Sequence, residues 1–338
     1  MPNTGDRLRR TSNNSTTYGL QAWLRSTPAS KAYDQSAEFE EESMEITQVR
    51  LPDDADEVID FVVKRTPKRD RVILRSELDG QTAQSLRVLA VREPDGTLAG
   101  VAAARTSANL PAGALLVIVS TRADCGRRGL GSRLLAAALA GPGDDVTRVV
   151  GCVLDGDQAS TEVALHWGFE LEQTSITSSC TLAEAPPAEP PGGVTVEVCD
   201  DLVFDDEEAV EAMLRASQTN PEFDLGLVLT LPGLRETAAP GQRPVAVLTR
   251  FHGRPAAISF ALADADQMHL IYTGVDPSLR GRALGRSTKE SLHTHAYDLG
   301  IRTALTENEE GNAGIRHVND QLGYTPHSAW RWMMRPLH

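Results

Sequence analysis

Alternation and periodicity divide this chain into segments that occur twice in the same order. Period-two or continuous apolar runs predict strands at 45–50, 86–92, 97–105, 114–120, 147–154 and 171–181, with Glu93-Pro-Asp-Gly96 as a hairpin turn between the second and third. Apolar residues recurring every three to four positions predict helices at 55–65, 129–140 and 159–167. After residue 193 the order returns: a strand at 194–198, a helix at 205–217, and a hairpin pair 244–251 and 255–262 turning at His252-Gly253. Strand, loop, helix at about 286–299, short strand, helix and strand complete it. Hairpins mixed with crossover helices imply an α/β fold, each half a central mixed sheet flanked by helices.

Between the halves, residues 183–193 are too rich in Pro and Gly to continue a helix or strand, and they read as a linker. The organisation expected is therefore a poorly ordered Ser/Thr/Asn-rich tail at 1–43, a first domain at 44–182, the linker, and a second domain at 194–338. A chain of 338 residues suits two domains on length alone.

Composition adds exclusions. No apolar run approaches the ~20 residues of a membrane span, and residues 1–43 contain no uninterrupted apolar core of a secretory signal. Cys125, Cys152, Cys180 and Cys199 are scattered, without a C-x-x-C pair, which fits idle thiols in a reducing cytoplasm. The net charge of −14 argues against a nucleic-acid partner and favours a cationic one. His293 and His295 lie two apart on a predicted helix, face different directions and lack metal-ligand spacing, so no metal site is expected.

Candidate chemistry begins where two strands end. Thr121-Arg-Ala-Asp-Cys-Gly-Arg-Arg-Gly-Leu-Gly131 follows LLVIV, and 154 positions later Val275-Asp-Pro-Ser-Leu-Arg-Gly-Arg-Ala-Leu-Gly285 follows MHLIY. A strand that breaks into a Gly/Arg-rich turn and opens a helix presents successive backbone N–H groups and a positive dipole end to an anion. Such a turn suits a pyrophosphate, with Arg280 and Arg282 as charged donors. Downstream lie Thr306-Glu-Asn308 and the segment from Asn312 to Gly323-Tyr324; Gly168-Phe169 closes the first copy 37 positions after Gly131, against 38 from Gly285 to Gly323. On the last helix Ile315, Val318 and Leu322 form one stripe that should bury against the sheet, while Asn312 and Asn319 fall together along its edge, facing a cleft. Asn312 after Glu310-Gly311 also suits a helix N-cap.

These motifs resemble the GCN5-related N-acetyltransferases, whose signature is V-x-P-x-x-R-G-x-G-x-G/A followed by an Asn-led helix ending in GF or GY. The tandem arrangement is most similar to the two-domain enzymes related to mycothiol synthase. The resemblance implies an acetyl-CoA-dependent transferase acting on the amine of a small, possibly cationic molecule. It also implies a coenzyme A site at Arg280, Gly281, Arg282, Ala283, Leu284 and Gly285, with Asn308 and Asn312 on the opposite wall. Thioester polarisation would come from main-chain N–H groups around Thr273 to Val275. Glu307, at the carboxyl end of a strand, is the first candidate for the base that takes the amine's proton, with Asp266 and His269 behind it.

Departures from the signature count as well. Asn319 stands where many members carry a tyrosine acid, so it is expected to orient cofactor or acceptor, with Tyr272 and Tyr324 as alternative phenols. Ala283 replaces the loop's middle glycine and as an alanine favours φ below zero. The first copy departs further, with Gly126, Val153, Asp157 and Ala164 at the positions of Arg280, Asn308, Asn312 and Asn319, so it is expected to bind cofactor weakly or not at all. Two other readings stay open: a non-catalytic acyl-CoA-binding or interaction protein, and a longer acyl donor or a thiol or amino-sugar acceptor. The acceptor's identity and the oligomeric state are not legible.

Overall fold

A computed structural model describes residues 45–79, 83–107, 110–125, 129–141, 143–184, 192–219 and 228–337. The expected N-terminal tail and linker residues 185–191 lie outside the described residues. The first half runs β1 (Ile46–Gln48), α1 (Ala55–Arg65), α2 (Arg71–Asp79), β2 (Ala83–Arg92), β3 (Leu98–Ser107), β4 (Ala114–Thr121), α3 (Leu130–Ala138), β5 (Arg148–Leu154), α4 (Gln158–His166) and β6 (Glu170–Thr181). The second runs β7 (Val194–Val198), α5 (Glu207–Ser217), α6 (Leu231–Arg235), β8 (Arg243–Phe251), β9 (Arg254–Asp264), β10 (Gln267–Val275), α7 (Leu284–Asp298), β11 (Thr303–Glu309), α8 (Ala313–Gln321) and β12 (Thr325–Pro336).

Helices cover both faces of the sheet, so its inner strands are buried along nearly their whole length rather than alternately. Along β9, Ile258, Phe260 and Leu262 pack with Val210, Met213 and Leu214 of α5, while Ala261 and Ala263 pack with Leu292 and Ala296 of α7. In the first half α1 buries Ala55, Val58, Ile59 and Val62, the i, i+3, i+4, i+7 stripe that made it legible, with Leu74 and Leu78 of α2 beside it. Leu130, Leu134 and Leu135 of α3 pack on the opposite face. Two helices escape the pattern. The nine residues of α2 carry Arg71, Arg75, Glu77 and Asp79 among their apolar positions, and α6 is five residues containing Pro232 and Gly233, capped by the Thr230 hydroxyl.

The two halves share one sheet of twelve strands in the order β1-β2-β3-β4-β5-β12-β6-β11-β10-β9-β8-β7. Their last strands are exchanged. Strand β12 pairs antiparallel with β5 and β6, and β6 pairs antiparallel with β11. Met333 of β12 accordingly sits in the core of the first half. Helix α2 also crosses over: Val72 joins the core beneath α5, and its carbonyl accepts a 2.6 Å hydrogen bond from Gln242. Among the described residues no helix is long and apolar enough to cross a membrane.

This exchange predicts that cutting the chain within 185–191, at an engineered protease site, leaves two fragments that co-elute as one particle under native conditions. Fragments that separate on size exclusion without denaturant would contradict the shared sheet.

Candidate active site

The site begins where parallel pairing stops. Strands β10 and β11 pair from Gln267–Thr303 to Leu270–Thr306, and β10 is irregular between Leu270 and Tyr272. Beyond that point the two strands part, freeing backbone groups of β10 on its open edge. The first half does the same: β4 and β5 pair only from Ala114–Arg148 to Leu116–Val150.

At the end of β10, Asp276 accepts from the Ser278 amide at 2.8 Å and turns the chain through Pro277–Leu279. Arg280 is extended, Gly281 takes φ 78° and Ala283 takes φ 60° as the residue preceding α7. The expected negative φ at Ala283 is thus overturned. Opening the helix here requires a left-handed residue, as Gly129 with φ 74° does before α3, and an alanine there costs about 1 kcal/mol. The first amides of the 15-residue α7 have no intrahelical acceptor and lie at its positive dipole end. A Cβ on Gly285 would come within 3.1 Å of Val275 Cγ2, so glycine spares the loop a tight contact with the end of β10.

The arginines are engaged elsewhere. Arg280 Nη2 donates to the Ser217 carbonyl (3.2 Å) and to Thr219 Oγ1 (2.7 Å) at the end of α5, and the Arg282 guanidinium lies 5.3 Å from the Phe251 ring centroid. Thr273 Oγ1 shares a 2.9 Å hydrogen bond with Ser259, and Leu284 is buried with Ala256 and Ala257 at the root of the turn, with Val275 packed against them.

On the same face as α7, the wall of the split is polar. Asn312 caps α8, its Oδ1 facing the Ile315 amide at 3.5 Å, while its buried Nδ2 has no partner. Asn319 is buried; its Nδ2 donates to Asn308 Oδ1 at 2.7 Å and its Oδ1 accepts from Lys289 Nζ at 2.5 Å. This corrects the expected phase of α8. Ile315, Val318 and Leu322 are only half-buried, and Asn319 turns inward because the buried Lys289 and the half-buried Asn308 await its amide. Lys289 is 1% exposed, and burial lowers its pKa to about 7. Its ammonium lies 4.8 Å from the Tyr324 ring centroid, and Tyr324 OH pairs with His293 Nε2 at 2.8 Å.

Glu307 occupies the other face. Its carboxylate accepts from Ser175 Oγ (2.5 Å), Trp332 Nε1 (3.2 Å) and Thr177 Oγ1 (3.5 Å), donors supplied by the exchanged strands β6 and β12. His269 is buried against Asp70, which precedes α2 and also accepts from Val72 N. Burial pushes the Asp70 carboxyl up, but the charge and hydrogen bond of His269 more than offset this and hold it below its usual value. Tyr272 turns toward α5, its hydroxyl 2.7 Å from Ser217 Oγ. Asp266 is exposed in the β9–β10 turn, at the end of β10 away from the split, so it is not placed to serve as base.

The first half holds the more open space. A cavity of about 450 Å³ runs from Gly129 and Gly131 through the split between β4 and β5 to Arg69 and Cys152. Its walls include Leu135, Ala164, Val153 and Phe169, the counterparts of Lys289, Asn319, Asn308 and Tyr324, so the positions that form a polar chain in one half are apolar in the other, beside polar lining from Arg65, Arg69, Asp157 and His166. Asp157 caps α4 by accepting from Ser160 N at 3.0 Å. Cys152, at the position of Glu307, accepts from Arg69 Nη1 at 2.8 Å, and burial pushes its thiol up to about 11. Sequence reasoning missed Lys289, Arg69 and Asp70. For Lys289 the available signal was a lysine on the stripe of Leu292 and Ala296, aligned with Leu135 of the first copy.

Comparison with known proteins converges on one family. Residues 192–304 match the family described as an acetyltransferase (GNAT) domain. A mycothiol acetyltransferase of Catenulispora acidiphila is 30% identical over 181 residues, a match that covers 51% of this chain and 56% of that protein. This chain therefore spans little more than half the length of that relative. Among solved structures, a tandem GNAT protein from the clavulanic acid biosynthesis pathway superposes with a TM-score of 0.66 at 18% identity, covering 86% of this chain and 98% of that one. A GCN5-related N-acetyltransferase from Sphaerobacter thermophilus gives 0.64 at 16% identity, over 86% of this chain and 95% of its own. At these identities the likeness is one of fold.

The burial of Lys289 makes a thermodynamic prediction. Its folded pKa is depressed, so its cost to folding is largest at or below neutral pH and fades as pH rises toward its unfolded value near 10.5. The stability of Lys289→Met relative to the parent should fall by about 1 kcal/mol per pH unit between pH 7.5 and 9.5, read by urea unfolding. A pH-independent difference would show that Lys289 titrates normally.

Proposed function

We propose that this chain, whose residues 192–304 match an acetyltransferase (GNAT) domain and whose fold is like that of a tandem GNAT protein, transfers an acetyl group from acetyl-CoA to the amine of a small molecule, with the chemistry in its second half. One observation carries this reading: the split beyond Leu270 and Thr306 joins the amides at the start of α7 on one face to Glu307 and His269 on the other. A donor and an acceptor can thus approach one opening from opposite sides.

The residues present fit the donor. Amides from Gly281 to Gly285 hold the pyrophosphate against the helix dipole, and the absence of a side chain at Gly285 keeps that space clear. Asn308 and Asn312 line the path of the pantetheine arm, for which the unpartnered Asn312 Nδ2 is a ready donor. Freed N–H groups around Thr273 to Val275 stabilise negative charge on the acyl oxygen. When bound, acetyl-CoA supplies the acyl group in activated thioester form.

On the acceptor side, an amine of pKa near 10 arrives mostly protonated and needs a base. Glu307 is that base, directly or through a water. Ser175, Thr177 and Trp332 fix its orientation by donating to its carboxylate. His269, oriented by Asp70, stands next in line. The net charge of −14 supports a cationic acceptor. A second reading is favoured by the cavity of the first half, which opens between Gly129 and the split of β4 and β5: that copy holds an acyl-CoA without turning it over.

A thiol-release assay with acetyl-CoA against a panel of small amines tests the activity. Glu307→Gln should lower kcat/KM for the amine by about 10²–10⁴-fold while leaving acetyl-CoA affinity near normal. Full activity in Glu307→Gln with loss in His269→Gln would move the base to the His269–Asp70 pair. Release of thiol with no amine in the panel would sink the assignment of acceptor class. Gly285→Trp should weaken acetyl-CoA binding at least tenfold by filling the pyrophosphate space; unchanged binding would show that the turn is only a turn.

A further inference from the structure

The least explained group in the molecule is Lys289. A lysine 1% exposed, without a carboxylate partner, costs stability and is seldom found in a core. Its hydrogen bond goes to a neutral amide, Asn319 Oδ1, and it lies over an aromatic face, Tyr324. The position itself does not demand charge, because the equivalent residue of the first half is Leu135 in the same helical register. Leu135 identifies where Lys289 stands, since it lines the cavity that passes through the split of its own half. The neighbours agree: Ala164 and Val153 line that cavity, and their counterparts Asn319 and Asn308 are the two amides chained to Lys289.

Resting on the function proposed above, we propose that Lys289 is the proton donor to the sulfur that leaves when the acyl group is transferred. As the new C–N bond forms and the C–S bond breaks, its electron pair remaining on sulfur, Lys289 Nζ gives that sulfur a proton and becomes a neutral amine. Glu307 takes the ammonium's proton before attack, passes it to water, and then takes the second proton that the attacking nitrogen sheds as the amide forms. Exchange with water restores Glu307 and Lys289, so one ammonium and one acyl thioester give one amide, one thiol and one proton released to water.

Asn319 acts as a positioning residue, holding Nζ through its Oδ1 while Asn308 fixes its amide. The groups facing Nζ are suited to a labile proton. Cys180 on β6 and Tyr324 are both held in their neutral forms, their pKa values raised chiefly by burial. His293 on α7 is kept neutral, its pKa lowered to about 3 by burial with the charge of Lys289 adding to it. No fixed anion therefore competes with the sulfur for the ammonium among these neighbours. Since burial has already brought Lys289 to about 7, it can yield its proton near neutral pH.

The test uses free coenzyme A, whose thiolate absorbs in the ultraviolet, bound to the full chain. With the parent protein, ionisation of the bound thiol should shift at least tenfold toward thiolate relative to coenzyme A in solution. Lys289→Met should abolish that shift and Lys289→Arg should keep it. In the unaltered protein the ε-carbon NMR resonance of one lysine should titrate at higher pH with coenzyme A bound than with desulfo-coenzyme A, a measurement that does not depend on a variant folding. Bound coenzyme A with the same thiol ionisation in the parent and Lys289→Met, and no lysine that distinguishes the two ligands, would overturn this proposal alone. Unchanged coenzyme A affinity in Gly285→Trp would overturn the parent reading and this one with it.

Discussion

Parallel strands that stop pairing part-way must leave backbone groups facing one another across a gap, and the rest of this site depends on that gap. Pairing between β10 and β11 ends at Leu270 and Thr306, and everything proposed to act lies around the opening that follows. The turn at Gly281–Gly285 grows from one arm of the split, and Glu307 and Asn308 sit on the other with their side chains on opposite faces. The exchanged strands reinforce the arrangement. By lying on the far side of β11, β6 supplies Ser175 and Thr177 to Glu307, and β12 adds Trp332. One half of the chain thus orients the carboxylate of the other.

The two halves carry the same gap with different chemistry. In the first, Leu135, Ala164 and Val153 line a cavity; in the second, Lys289, Asn319 and Asn308 join in a hydrogen-bonded chain. Burying an ammonium against two amides costs far more than burying leucine and alanine, and such a cost is kept where the charge is used. The contrast is why the proton chemistry is proposed for the second half.

Much of this was legible in the sequence, because each legible element rested on a local rule. The α1 stripe, the hairpins, the two loops and the Asn312 cap follow from periodicity, turn chemistry and capping preference. What escaped depends on packing between distant segments. The exchange of β6 and β12 leaves no local trace, since a strand has the same pattern whichever neighbour it meets. The inward rotation of α8 was misjudged because an apolar stripe was weighed against a single asparagine, whose partners Lys289 and Asn308 lie 30 and 11 positions away in sequence. Ala283 was judged by its intrinsic preference, whereas the helix start imposes a left-handed residue. Arg280 and Arg282 stand in the turn where their motif puts them, Arg280 bonded to the Ser217 carbonyl and Arg282 over the Phe251 ring.

The central claim is that the backbone of residues 281–285, at the start of α7, anchors the acyl donor beside a split whose other face carries Glu307. The most direct measurement is a crystal structure of the full chain with coenzyme A. The account predicts pyrophosphate density within hydrogen-bonding distance of the Gly281–Gly285 amides, with the thiol end in the split between β10 and β11. Coenzyme A found only in the cavity of the first half, with the Gly281–Gly285 amides bare at saturating ligand, would contradict it.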